Sequence, residues 1–144
     1  VRYRRKAIGA KELKEQLFSF LPALRDPEKI VHRFWESHRE GLQSWYLAQK
    51  REDDIVISAS PEFLLAPICR ELGVRLIATD MDIRSGKIQG NNCHDEEKVR
   101  RFTALYSEEF IDEFYSDSLS DSPMAALAGR AYLVRRDKLI PWPN

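Results

Sequence analysis

The feature that most constrains this chain is a strand-helix-strand pattern within residues 55–79. Ile55-Val56-Ile57 is a short β-branched run, preceded by Asp53-Asp54 and followed by Ser58-Ala59-Ser60-Pro61. Such a run between polar breaks predicts a buried strand. Glu62–Leu72 then spaces Phe63, Leu64, Leu65, Ile68 and Leu72 at helical intervals, and Gly73 ends the segment. Val74–Thr79 reads as a second strand. Downstream, Ile111–Tyr115 and Ala131–Val134 read as strands on either side of a helix at Pro123–Ala128, and Asp95–Leu105 as a polar helix before them. Strands alternating with helices predict an α/β fold on a parallel sheet, with helices on its faces. Asp82–Ile88 adds a hairpin, with Ser85-Gly86 at its turn.

The first 50 residues read differently, as helix. Ala10–Leu21 carries Leu13, Leu17, Phe18 and Leu21 on a 3.6-residue period, closed by Pro22. Asp26-Pro27-Glu28 is a helix start, with Asp as cap and Pro in the first turn. Ile30, Val31, Phe34 and Trp35 form the apolar face behind it. Gly41 interrupts, and Leu42–Lys50 continues as helix. The expected division is therefore a helical part over residues 1–48 and an α/β core over residues 49–144.

The length of 144 residues suits one domain, or one with a small appendage, and can bury a proper core. The formal net charge is zero, which gives no global attraction to nucleic acid or to an anionic membrane. A basic start at Arg2, Arg4, Arg5 and Lys6 has only Tyr3 for stacking, so no nucleic-acid partner is expected. No apolar run reaches membrane-spanning length. Cys69 and Cys93 make neither a zinc spacing nor a disulfide scaffold, and a reduced, cytoplasmic setting is expected. Cys93-His94 lacks further metal ligands, and His32 and His38 read as surface residues of amphipathic helices.

Three places can carry chemistry. Tyr115-Ser116-Asp117-Ser118-Leu119-Ser120-Asp121-Ser122-Pro123-Met124 puts two carboxylates where a strand ends and a helix begins. Ligands of open α/β sheets bind at such strand ends. Asp117 and Asp121 can be turn and cap residues, or hard oxygen ligands for Mg²⁺, which needs only one or two protein carboxylates. Ser58 follows a strand and precedes a helix, where a hydroxyl and free N–H groups can hold a phosphate oxygen. Ser60 reads as the cap of the helix behind Pro61. Lys98, on the polar helix, is either a surface charge or a point charge for phosphate.

In order, Ile55 to Phe63, Gly86 to Gly90, Asn92 to Val99 and Tyr115 to Met124 resemble the haloacid dehalogenase (HAD) superfamily, in its phosphoserine-phosphatase-like branch. The resemblance covers about residues 45–135, and its specificity lies in four motifs in sequence at the right strand ends. It implies a HAD-like Rossmannoid core and a partial helical cap. It also implies a phosphomonoester hydrolase that uses Mg²⁺ on a small phosphorylated metabolite. By this resemblance Ser58, with Ala59 beside it, matches the second-motif hydroxyl that binds the phosphoryl group. Lys98 matches the third-motif lysine that steadies nucleophile and phosphate. Asp117 matches the Mg²⁺ ligand of the fourth motif. Asp121 matches the second acid of that motif, which supports metal and lysine, and Ser120 falls near the substrate.

One departure limits this. The family's first motif, Asp-x-Asp-x-Thr/Val, supplies the nucleophilic Asp and the general acid from a strand upstream of the cap, and it is absent from these 144 residues. Asp80-Met81-Asp82 and Asp53-Asp54 stand in the wrong places to replace it. The chain is therefore expected to begin inside the cap and to lack catalytic activity as given. The absent strand belongs between the strands at 55–57 and 111–115. Three outcomes are expected to compete: a longer native chain supplies it, the two strands close on each other, or a second copy fills the gap by self-association. The alternative to an enzyme is a phosphate-binding or interaction module on the same fold.

Overall fold

A computed structural model describes residues 15, 18–38, 44–106, 111–136 and 138–143. The basic residues 2–6, most of the helix expected at 10–21, Gly41, and Glu108 and Glu109 lie outside them. The described residues group into two compact units. One comprises residues up to 42 and residues 50–93; the other comprises 43–49 and 94–144.

In the first unit, Phe18–Phe20 is a turn running into a 3₁₀ turn at Leu21–Ala23, so the expected helix does not reach Leu21 as α-helix. Pro22 explains this, because its ring tolerates only the start of a helical turn. Helix α1 spans Pro27–His38. The Asp26 carboxylate accepts the Lys29 N–H at 3.2 Å, as its cap position requires. Val31 is buried on α1, while Ile30 and Phe34 stay partly exposed, at 46% and 39%. The Trp35 indole donates to the Leu64 carbonyl, which fastens α1 to the next helix of this unit.

Strand β1 spans Ile55–Pro61, longer than the β-branched run alone indicates. It pairs in parallel with β2, Arg75–Thr79, through Ile55↔Arg75, Val56↔Leu76 and Ile57↔Ile77. The register then breaks, and the next matched pair is Pro61↔Thr79. Helix α2, Glu62–Leu72, follows directly. Its N-cap is Pro61, without a side-chain hydrogen bond, so Ser60 is not the cap. Gly73 closes it at φ +71, the left-handed conformation glycine adopts at least cost. Ile68, Cys69 and Val74 form the core here, with Trp35, Val56, Leu65, Leu72 and Leu76 packed on them.

The hairpin at 82–88 is a tight loop. Met81 bridges Ile88, and the Asp82 N–H donates to the Lys87 carbonyl at 2.8 Å. A hydrogen bond from the Ser85 side chain, then the Arg84 and Ser85 N–H groups, hold the Asp82 carboxyl below the usual carboxylate range. Leu21, Met81 and Ile88 form a second core under this loop.

The second unit opens with a short helix at Ser44–Gln49, α3. Helix α4, Glu96–Leu105, precedes β3, Ile111–Ser116. A 3₁₀ turn at Leu119–Asp121 leads into α5, Ser122–Ala125. This helix is one turn long rather than six residues, because the chain re-enters the sheet early: β4 spans Ala128–Arg135. Strands β3 and β4 are parallel, and β5, Lys138–Pro141, adds an antiparallel edge. Sequence reading missed β5, four residues that are all exposed. Phe102, Met124, Ala125, Leu133 and Val134 are the buried apolar residues of this unit.

The strands thus form two sheets, β1-β2 and β3-β4-β5, rather than one. The ladder between 55–57 and 111–115, expected if those strands close up, is absent among the described residues.

Candidate functional site

In the second unit the candidate residues meet at the end of β3. Lys98 is buried on α4, and its Nζ donates to Asp121 Oδ1 at 2.7 Å. Both side chains are 10% exposed, so this is a buried ion pair. The other carboxylate oxygen, Asp121 Oδ2, accepts the Ser116 hydroxyl at 2.6 Å. Ser116 Oγ in turn accepts the Ser118 N–H at 3.1 Å. The chain from lysine through carboxylate to hydroxyl fixes Asp121 from both sides.

The loop after β3 folds on its own hydroxyls. Ser118 Oγ accepts the Ser120 N–H at 3.3 Å and lies 2.7 Å from Ser120 Oγ. The Ser122 hydroxyl donates to the Leu119 carbonyl at 2.7 Å. These bonds satisfy a 3₁₀ turn that carries Asp121 inward and leaves Ser120 and Asp117 exposed. Arg135, at the end of β4, donates to the Asp117 carbonyl at 2.6 Å and holds the backbone where the carboxylate faces solvent.

Helix α4 begins at a strained residue. Asp95 is its N-cap at φ +48, without a side-chain cap bond, and its carboxylate pairs with the His94 ring at 3.0 Å. Cys93-His94 belongs to no group of three metal-binding side chains among the described residues.

The donors suit Mg²⁺ in a limited way. The described residues hold no group of three His, Cys, Asp or Glu side chains able to enclose a metal. Mg²⁺ keeps several waters and is held by one or two carboxylates together with substrate oxygens, so a single exposed Asp117 at a strand end fits it. Each Asp121 oxygen already accepts one hydrogen bond and keeps a second lone pair for a cation or its water.

Ser58 and Ala59 lie in the first unit, inside β1 rather than beyond it. They occupy the stretch where the register breaks. The Ser58 hydroxyl accepts the Ser60 N–H at 3.0 Å. The Ala59 carbonyl accepts the Thr79 hydroxyl at 2.8 Å. The structure therefore joins Lys98 to Asp121, sets Asp117 and Ser120 on the same loop, and places Ser58 and Ala59 on a different unit.

Ser116, Arg135 and Thr79 are residues to which sequence reading assigned no role. Ser116 had a visible signal, a hydroxyl at the strand's last position. Arg135 and Thr79 act across strands, and nothing local marks them.

The decisive comparison is with known protein families. Residues 2–126 match the family of haloacid dehalogenase-like hydrolases. The chain belongs to that family.

Within this HAD family, the chain is 29% identical over 129 residues to protein CicA of Caulobacter vibrioides, covering 83% of this chain and 53% of CicA. It is 35% identical over 94 residues to a probable phosphatase of Mycobacterium tuberculosis, covering 60% of this chain and 33% of the other. It is 29% identical over 127 residues to phosphoserine phosphatase SerB1 of the same species, covering 76% and 38%. The chain thus spans about half or less of these relatives' lengths. A crystal structure of a protein of unknown function from Bordetella pertussis Tohama I superposes with a TM-score of 0.70 at 26% identity. That match covers 92% of this chain and 69% of the other. The HAD-like α/β fold and the phosphoserine-phosphatase-like branch both stand on these matches.

Proposed function

We propose that this HAD chain carries the phosphate-binding and Mg²⁺-binding part of a phosphomonoester hydrolase for a small phosphorylated metabolite. The observation that carries the reading is the buried Lys98–Asp121 pair beside the exposed Asp117, at the end of a parallel strand. Lys98 places a fixed cation for a phosphoryl oxygen, and Asp121, braced by Ser116, aims it. Asp117, supported by Asp121, would hold Mg²⁺, which would counter charge on the phosphoryl oxygens. The family resemblance assigns phosphoryl binding also to Ser58 and the Ala59 backbone of the first unit, and a place near the substrate to Ser120.

In this reading the 144 residues do not hydrolyse phosphate esters alone, since no Asp-x-Asp-x-Thr/Val supplies the nucleophile. That same observation favours a second reading, a module that binds phosphate without turnover. The partner is a small phosphorylated molecule rather than nucleic acid or membrane. Among the described residues β1 pairs only with β2 and β3 only with β4, which supports self-association through the open edges. Cys69 and Cys93 are buried thiols outside any disulfide, which suits a reduced, cytoplasmic setting. No helix among the described residues is long and apolar enough to cross a membrane.

The test is p-nitrophenyl phosphate hydrolysis with Mg²⁺ by this chain. Background rates are expected. Robust turnover that Asp117→Asn abolishes would overturn the incomplete-site reading. Native upstream sequence encoding an Asp-x-Asp-x-Thr strand decides for the enzyme, and a native start near Val1 decides for the module.

A further inference from the structure

Thr79 is the most enclosed polar residue described, with 0% exposure at the end of β2. Its hydroxyl oxygen lies 2.8 Å from the Ala59 carbonyl and 3.0 Å from Asn92 Oδ1, two acceptors for its one proton. The same oxygen accepts the Cys93 N–H at 2.9 Å. One buried hydroxyl therefore ties together β1, β2 and the loop at 91–93, all within the first unit.

Its place in the sheet gives this meaning. From Ile57↔Ile77 to Pro61↔Thr79, β1 advances four residues while β2 advances two (61 − 57 against 79 − 77). Two extra residues bulge out of β1 at 58–60. A bulge re-aims side chains and interrupts the ladder. The Thr79 hydroxyl reaches into this bulge and holds Ala59, the residue between Ser58 and Ser60. The Ser60 N–H donates to Ser58 Oγ and completes the turn.

We infer that Thr79 is a positioning residue for the phosphate-binding bulge at Ser58–Ser60. It acts through the Ala59 carbonyl and touches no substrate. The inference rests on the reading of Ser58 as a phosphate ligand. Thr79 fixes the bulge so that the Ser58 hydroxyl and nearby N–H groups keep one geometry. A buried hydroxyl suits this task, because water cannot compete for its bonds. Without it, the Ala59 carbonyl and Cys93 N–H lose a buried partner and the bulge relaxes.

The experiment titrates inorganic phosphate, with Mg²⁺ present, into this chain and into Thr79→Val, Thr79→Ser and Ser58→Ala. The readouts are calorimetric affinity and the ¹⁵N–¹H shifts of Ser60 and Cys93. Thr79→Val is expected to weaken phosphate binding roughly tenfold and to move both amide signals. Thr79→Ser keeps the hydroxyl and is expected to stay within about twofold of the unaltered chain. Unchanged affinity in Thr79→Val, with the Cys93 signal moved, would show a purely structural clasp and overturn the inference. A loss in Thr79→Ser of about tenfold would also overturn it, even if Thr79→Val does not fold. Unchanged affinity in Ser58→Ala, or no phosphate binding by the unaltered chain, would remove the underlying reading. Loss in Ser58→Ala alone leaves that reading standing and sinks the role of Thr79.

Discussion

The ammonium of Lys98 lies 2.7 Å from a carboxylate oxygen of Asp121, with both side chains 10% exposed. Burying two charges is costly, and their attraction offsets that cost only when hydrogen bonds complete the geometry. Here Ser116 supplies one such bond. Removing one partner leaves the other charge buried and unbalanced. Lys98→Met and Asp121→Leu should each destabilise the second unit by about 3–5 kcal/mol. The double variant should cost less than either alone. Urea denaturation of the three variants checks this, and additive losses would show that the pair is not coupled.

Two glycines at similar φ should respond differently to alanine. Gly73 sits at φ +71 with nothing within 4 Å of the place a Cβ would take, so Gly73→Ala bears only the left-handed backbone cost, about 1–2 kcal/mol. Gly86 sits at φ +75, and a Cβ there would lie 2.3 Å from the Phe18 carbonyl oxygen. Gly86→Ala must move the backbone at residue 18 as well, and should lower the melting temperature clearly more than Gly73→Ala. Equal shifts in differential scanning calorimetry would contradict the close approach of the 82–88 loop to Phe18.

Much of this architecture was readable because local chemistry decides it. The Asp26-Pro27 start, the Gly73 stop and the β-branched run at 55–57 each act within a few residues, and they mark elements that the structure contains. The continuation of β1 through Ser58–Pro61 was not legible, because Thr79 holds it from another strand. Strand β5 escaped for a related reason: its residues are exposed, and pairing with β4 makes it a strand. Among candidate residues, Lys98 and Asp121 stand out in the sequence by their resemblance to family motifs, and the structure pairs them. Ser116, which braces Asp121, stood within one of those motifs but carried no role. Arg135 was invisible, since its bond to the Asp117 carbonyl spans β3 and β4.

Tyr115 offers a pH-dependent handle on the second unit. Burial, and then its hydrogen bond to the Glu113 carboxylate, push its phenol from 10.0 up to about 12. The folded state therefore favours the protonated phenol. The stability this gives is complete below pH 10 and declines as pH rises toward about 12. An absorbance titration at alkaline pH should show a tyrosine step at about pH 12, and Tyr115→Phe should remove that step. A titration unchanged by Tyr115→Phe would contradict the assignment.

The proposed site holds phosphate together with Mg²⁺ through Lys98 and Asp117. The most direct measurement is calorimetric titration of inorganic phosphate into this chain with Mg²⁺, with a chelator, and in Asp117→Asn. Phosphate is expected to bind with Mg²⁺, and the binding to weaken about tenfold or more both on chelation and in Asp117→Asn. Phosphate affinity that ignores both the chelator and Asp117→Asn would contradict it.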